Sequence, residues 1–320
     1  MRPVLGLHHI TCISGPAQEN VDFYAGVLGM RLVKRSVNQD DPGTYHLFYA
    51  DAEGRPGTDL TFFPWPHMPP GRLGTGLAVE VALAVPIGSL RYWEERLDRY
   101  GIRVEPREVR FGETVLPFAD PHGLRLALVE VEERPFTPWG GSPVPPEHQI
   151  RGLHAARVWV QRLRPTVPFL TDVLGFALLG EEGGWHRYGV AGGGSGTFLE
   201  VQERPWEGRG RWGVGTVHHL AWRVADEDHQ QEVRRRVLLW GLRPTPIIDR
   251  FWFRSVYFSE PGGVLFELAT DGPGFAVDED PGHLGERLVL PPWLEPHRAE
   301  IEAVLPRLTY PPVPEPVKAS

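Results

Sequence analysis

The sequence predicts an α+β protein of four βαβββ modules that pair into two half-barrels. Three observations carry this. A strand-like string, Gly6-Leu7-His8-His9-Ile10-Thr11, returns as Gly152-Leu153-His154-Ala155-Ala156-Arg157 and as Thr216-Val217-His218-His219-Leu220-Ala221, and such self-similarity marks tandem supersecondary units. A second string follows the first two copies at similar spacing, Val27-Leu28-Gly29-Met30 against Val173-Leu174-Gly175-Phe176, each closing a helix-like stretch at a glycine. Module endings also recur. Asp120-Pro121-His122-Gly123 runs into Leu124 to Leu128, and Glu260-Pro261-Gly262-Gly263 into Val264 to Leu268, a turn followed by a strand.

Taken in order, the first module spans residues 1–66. The second, 77–133, opens with Ala78-Val79-Glu80-Val81-Ala82-Leu83 and continues through Leu90, Trp93, Leu97 and Tyr100 at helical spacing before Gly101. It has no histidine pair. The third covers 150–203 and the fourth 213–271. Pro-rich joints separate them, from Phe63 to Pro70, from Arg134 to Pro146 and from Glu203 to Arg211. A tail, 272–320, reads as an acidic loop, a turn at Leu290-Pro291-Pro292-Trp293, and one helix from about Pro296 to Leu305 with apolar Ile301, Val304 and Leu305. With 37 Gly and 33 Pro among 320 residues, turns cut the chain too often for a helical bundle.

Composition narrows the function. The chain is 41% hydrophobic and 23% charged, with a formal charge of −8. That surface repels phosphate backbones, so nucleic acid is not expected as a partner. No apolar run approaches the roughly 20 residues that cross a bilayer. Cys12 is the single cysteine, the N-terminus lacks the apolar core of a secretory signal, and a cytoplasmic protein is expected. Gly192-Gly193-Gly194-Ser195-Gly196 reads as a turn, since no Lys-Ser/Thr follows to make a phosphate loop.

Two curled half-sheets enclose a cleft that inward residues of their first and last strands line. Strand alternation places His9 and Thr11 on one face, and His219 with Ala221 on the corresponding face of the fourth module. Glu267 lies in Val264-Leu265-Phe266-Glu267-Leu268-Ala269, where an ionised carboxylate is costly unless paired or bound to metal. Two neutral imidazoles and one carboxylate, with open positions, form the facial triad that suits non-haem Fe(II). The repeats supply a control: the His9 position reads Ala155 in the third module and roughly Val79 in the second, and the Glu267 position reads Ala127 in the second and about Thr61 in the first. Only modules one and four carry a complete site, so one is expected to pair with four and two with three. Glu200 reads as a remnant or surface residue. His8 and His218 face away from the cleft by alternation, either supporting the ligand histidines or packing. His46 and the other scattered histidines receive no role, and Cys12 reads as core.

Leu7-His8-His9-Ile10-Thr11, Asp22-Phe23-Tyr24 and Val27-Leu28-Gly29 resemble the vicinal oxygen chelate superfamily of glyoxalases, bleomycin resistance proteins and extradiol dioxygenases. More specific are the run from Val37 to Leu47, the run from Pro56 to Phe63, the run from Ser255 to Glu267, Ala269-Thr270-Asp271-Gly272-Pro273-Gly274-Phe275 and Leu290 to Glu295. These resemble the hydroquinone-type ring-cleaving dioxygenases over essentially the whole chain. The resemblance implies Fe(II), with Mn(II) left open, held by His9, His219 and Glu267. It also implies an aromatic diol and O2 as substrates, with Tyr257 and Arg250 beside the metal. Thr11 is expected as a hydrogen-bonding neighbour of His9. Two rivals are a glyoxalase-like isomerase or lyase, which needs a fourth ligand where Thr61 stands, and a metal-free protein that sequesters a small molecule. Oligomeric state is open, a homodimer being admissible.

Overall fold

A computed structural model describes residues 2–132 and 134–310. Residues 1, 133 and 311–320, read above as module ends and tail, lie outside the described residues. The chain runs through β1 (Leu7–Ser14), helix α1 (Ala17–Val21) continuing as a π-helical turn over Asp22–Val27, then β2 (Arg31–Asn38), β3 (Asp41–Ala50) and β4 (Asp59–Pro64). The pattern repeats as β5 (Leu77–Pro86), α2 (Leu90–Arg99), β6 (Glu108–Arg110), β7 (Glu113–Ala119) and β8 (Arg125–Val131). It repeats again as β9 (Gly152–Val160), α3 (Leu163–Phe169), β10 (Ala177–Glu182), β11 (Trp185–Gly189) and β12 (Phe198–Glu203). The last copy is β13 (Thr216–Val224), α4 (Glu227–Leu239), β14 (Ile248–Asp249), β15 (Arg254–Ser259) and β16 (Leu265–Thr270), and α5 (Arg298–Val304) closes the tail. No helix among the described residues is long and apolar enough to cross a membrane.

The strands form two eight-stranded sheets, ordered β14-β15-β16-β13-β1-β4-β3-β2 and β10-β11-β12-β9-β5-β8-β7-β6. The first repeat therefore shares a sheet with the fourth, and the second with the third, as expected. At the centre of each sheet the opening strands of two repeats meet antiparallel, β1 on β13 and β5 on β9. Each sheet curls, so one face turns outward and the other lines a concave interior.

The outward faces and the helices build the main core, where Leu7, Ile10, Cys12, Leu220, Trp222 and Phe266 pack with Val81, Leu83, Leu153, Val158 and Phe169 from the other sheet. Fully burying a side chain of this size contributes about 1.5–3 kcal/mol. The concave interiors are smaller. One holds Phe48, Ala221, Trp252, Phe253, Ala269 and Phe275; the other holds Ala82, Val115, Ala127, Val129, Ala155 and Phe198. Leu7 faces the core although His9, two residues on, faces the concave side, and strict alternation forbids that. The register explains it. Leu7 pairs with Trp222 and His9 with Ala221, so His8 is an extra residue; Thr11 pairs with His219 and Cys12 with Val217, so His218 is another. Such β-bulges re-aim the side chains around them. The second sheet has the same pair of bulges, at Val79 and His154.

Two glycines let the repeats approach closely. Gly6, at φ +124°, and Gly152, at φ +119°, would each place a Cβ 2.8 Å from a carbonyl oxygen, of Gly196 and Gly57 respectively. Those carbonyls accept from the amides of Leu7 and Leu153. The glycine-rich turn at 192–196 thus docks the first repeat. In the tail, Ile301 is buried as expected, but Val304 is 65% exposed, because the helix ends there and its next turn never forms.

Candidate metal centre

β1 and β13 present His9 and His219 from the middle of the first sheet, and β16 presents Glu267 beside them. All three are buried and form the one group of potential metal-ligating side chains among the described residues whose donor atoms lie within 4.8 Å of one another. Glu267 Oε2 lies 3.1 Å from His9 Nε2 and 2.9 Å from His219 Nε2, and the two nitrogens are 3.3 Å apart. Donors at that spacing reach a common point at bond lengths of about 2.0–2.2 Å. The other carboxylate oxygen, Oε1, accepts from Ser255 Oγ at 2.5 Å, which fixes the rotation of the group. Oε2 is buried without a hydrogen-bond partner of good geometry. Burial opposes the Glu267 charge, but with no ion bound a proton carried by the imidazoles facing it outweighs burial and holds its pKa well below the ordinary carboxylate value. A buried carboxylate converging with two imidazole nitrogens is the donor set an Fe(II) or Mn(II) ion takes.

The doubled histidines set the tautomers. His8 Nε2 lies 3.1 Å from the Thr270 carbonyl oxygen, which only accepts, so Nε2 carries the proton. Burial and the neighbouring His9 push the His8 pKa down to about 3, so its ring is neutral and Nδ1 is an acceptor. His9 Nδ1, at 2.9 Å, then donates to it, leaving the His9 Nε2 lone pair aimed at Glu267 and His219. His218 Nδ1 stands 2.8 Å from His219 Nδ1 in the same way, and its ring stacks on Trp212 at 4.5 Å. The expectation that His8 and His218 face away from the cleft is therefore overturned by the bulges. His8 contacts Phe253 at the same 5.2 Å centroid distance as His9.

Beside His9, His219 and Glu267 lies a pocket walled by Phe48, Phe63, Trp252, Phe253, His46, Tyr257 and Arg250 and bordered by Asn38, Gln39 and Asp40. Tyr257 pairs across from Glu267 in the sheet, edge-on to His219 at 5.5 Å. Burial, together with the Glu267 charge, pushes its phenol pKa up, partly opposed by Arg250. Arg250 follows β14, with its guanidinium 5.5 Å from the Tyr257 ring and 2.8 Å from Asp40. Gln39 Nε2 donates to the Arg250 carbonyl at 2.9 Å, so the β2–β3 turn ties this arginine to the pocket rim. Thr11 Oγ1 lies 2.8 Å from Thr61 Oγ1.

Two features escaped the sequence reading. His46 is a half-buried strand residue in the pocket wall. Lys34, fully buried, donates to Asp278 at 2.7 Å, to Glu279 at 2.5 Å and to the Phe275 carbonyl at 3.0 Å, while Asp278 also accepts from Trp252 Nε1. This cluster pins the tail over the first sheet and holds Trp252 in the wall.

Register in the second sheet corrects the repeat alignment. The bulge at Val79 puts Glu80, not Val79, in the His219 position, while Ala155 takes that of His9 and Arg157 that of Thr11. Glu200 is buried rather than a surface residue. It pairs with Arg157 at 2.9 Å and Arg187 at 2.6 Å, and Glu80 pairs with Arg110.

The glyoxalase/bleomycin resistance protein/dioxygenase superfamily model matches residues 6–128 and 152–268. A Bacillus subtilis (strain 168) protein named as a ring-cleaving dioxygenase, MhqO, is 44% identical over 94% of this chain and 96% of its own length. The chlorohydroquinone/hydroquinone 1,2-dioxygenase of Sphingobium indicum is 36% identical over 93% of this chain and 95% of its own. A crystal structure of a B. subtilis protein named as a dioxygenase superposes with a TM-score of 0.93 at 42% identity, covering 98% of this chain and all of that one. Glyoxalase I from Zea mays, 16% identical with a TM-score of 0.64 over 83% of this chain and 92% of its own, shares the fold.

Proposed function

We propose, for a chain that belongs to the glyoxalase/bleomycin resistance protein/dioxygenase superfamily, an Fe(II)-dependent ring-cleaving dioxygenase of the extradiol type that opens a hydroquinone- or catechol-type aromatic diol with O2. The observation that carries the reading is Glu267 Oε2, buried without a hydrogen-bond partner and aimed between two imidazole nitrogens. His9, His219 and Glu267 would hold the ion, with Mn(II) as the alternative. Bound there, the metal would favour the phenolate form of a coordinated hydroxyl and carry electrons from the ring to O2. The rest is protein chemistry. Phe48, Phe63, Trp252 and Phe253 give the diol ring an apolar slot that excludes water. Tyr257, kept protonated by its raised pKa, donates a hydrogen bond to an oxygen of the substrate and passes a proton to it as charge develops. Arg250 offsets the negative charge of the ionised diol, and Asp40 and Gln39 keep it at the rim. Thr11, tied to Thr61, orders the floor beside His9. A fourth-ligand isomerase fits less well, since Thr61 pairs with Thr11 in the position that Glu267 holds in the last repeat. The proposal places the enzyme in the cytoplasm, where a lone thiol such as Cys12 stays reduced.

The test is anaerobic purification with metal analysis, followed by oxygen uptake on hydroquinone and catechol panels and identification of the ring-opened product. One iron per chain with diol-dependent uptake is expected; metal bound at Glu200 or His154 instead, or uptake indifferent to diols, overturns the reading.

A further inference from the structure

His46 does not join the ligand set, yet it lines the same pocket. Its place follows from the sheet's internal symmetry. In the fourth repeat Tyr257 pairs with Glu267 and Ser255 precedes it by two; in the first, Phe48 pairs with Thr61 and His46 precedes it by two. Ser255 Oγ supports Glu267, and His46 Nε2 contacts Thr61 Oγ1 at 3.0 Å in the symmetry-related way. The parallel stops there, because Thr61 is no counterpart of a metal-binding carboxylate. A serine would satisfy Thr61, and a phenylalanine would fill the wall between Phe48 and Phe63, whose centroids lie 3.9 Å and 4.5 Å from the His46 ring. An imidazole brings something neither brings: a second polar atom. Nε2 is engaged by Thr61, itself held by Thr11 at 2.8 Å, and Nδ1 makes no hydrogen bond among the described residues.

We infer that His46 is a specificity-determining residue whose imidazole hydrogen-bonds the second hydroxyl of the aromatic diol, the one not bound at the His9, His219 and Glu267 centre. This rests on the dioxygenase reading above. The two aromatic neighbours clamp the ring plane, and the Thr11–Thr61 pair fixes the rotation, so the free nitrogen is pre-oriented rather than recruited. A phenol with one hydroxyl fills the same slot without that contact. A hydroxyl-recognising site discriminates against the analogue that lacks the group, because its own polar atom is then left unpaired.

The experiment is anaerobic calorimetric titration of Fe(II)-loaded protein with hydroquinone and with phenol. Wild type is expected to prefer hydroquinone by about fivefold or more, the size of one neutral hydrogen bond. His46→Phe, which keeps an aromatic wall, is expected to abolish the preference while leaving phenol binding and iron content unchanged; His46→Gln is expected to restore part of it. Should His46→Phe not fold, Thr61→Val, which removes the hydroxyl that orients the imidazole, is expected to reduce the preference in the same direction. A preference that persists in His46→Phe, or equal weakening of both ligands, overturns the inference and leaves the dioxygenase reading standing. Wild type that binds neither ligand overturns both.

Discussion

Arg157 Nε lies 2.9 Å from a carboxylate oxygen of Glu200, and Glu200 holds in the second sheet a position close to that of Glu267 in the first. Where one sheet gathers two imidazoles and a carboxylate, the other fills its interior with Arg157, Arg187 and Arg110 against Glu200, Glu113 and Glu80. The guanidinium groups take the place of a cation.

That arrangement makes a stability prediction. Removing Arg157 takes one of two cations from buried Glu200, which keeps Arg187, and breaking a buried pair from one side costs up to about 3–5 kcal/mol. Arg157→Leu should lower the unfolding free energy from urea titration by up to that amount, and Arg157→Leu combined with Glu200→Leu should recover much of it. Metal content should not change in either. Equal losses in the single and double variants would argue against the pairing.

The architecture was legible because the module repeats in sequence, and the convergence of His9, His219 and Glu267 was legible because only two repeats keep those residues. The facing of His8 and His218 was not. A bulge leaves no mark in a single strand's pattern; it exists only in the register between β1 and β13, and the same blindness misplaced Glu80 by one residue. His46 and Lys34 were missed for another reason. Each sits among polar or aromatic strand residues, and only the tertiary covering by the tail and the opposite wall shields them.

If Glu267 supplies the anionic donor, replacing it with Gln removes that charge while keeping its shape. Glu267→Gln should fall from one metal per chain to a small fraction after dialysis, with the fold intact by circular dichroism. Full metal retention would exclude Glu267 as a ligand.

The Thr270 to His8 to His9 hydrogen-bond chain fixes which nitrogen of His9 is free. His8→Phe keeps the contact with Phe253 but removes the acceptor for His9 Nδ1, and loss of such supporting partners costs about 10–100-fold in metal affinity. Competition against a fluorescent chelator measures it. An unchanged affinity would make His8 a packing residue.

Acid should destabilise the metal-free protein in a defined direction. His8 and His218 are held at about 3, by burial first and then by the adjacent histidine, against about 6.5 in an unfolded chain. The unfolded state therefore binds more protons between those values, so the stability contributed by the neutral rings is complete above about pH 6.5 and is lost as pH falls. Each such group adds a slope of about 1.4 kcal/mol per pH unit. His46 and His219, also lowered by burial, act with the same sign. The depressed Glu267 does so too, its contribution being lost as pH falls below the ordinary carboxylate value. Urea titrations at pH 7.5, 6.5 and 5.5 should show little change over the first step and a clear fall over the second. A flat profile would mean these histidines protonate in the folded state.

Tyr257 stands opposite Glu267 in register and edge-on to His219, yet its phenol is a poor ligand, because burial and the Glu267 charge both oppose its ionisation. A protonated phenol beside a bound diol is suited to donating a hydrogen bond and then a proton. Tyr257→Phe should therefore keep its iron and its affinity for hydroquinone under anaerobic conditions to within a few-fold, while turnover falls by about 10²-fold or more, the usual cost of losing a general acid or base. A wall residue would behave differently: Phe would serve as well as Tyr, and only Tyr257→Ala would weaken binding through lost packing. Steady-state oxygen uptake on iron-loaded wild type, Tyr257→Phe and Tyr257→Ala separates the two, and a kcat for Tyr257→Phe within a few-fold of wild type would rule out the proton-donor role.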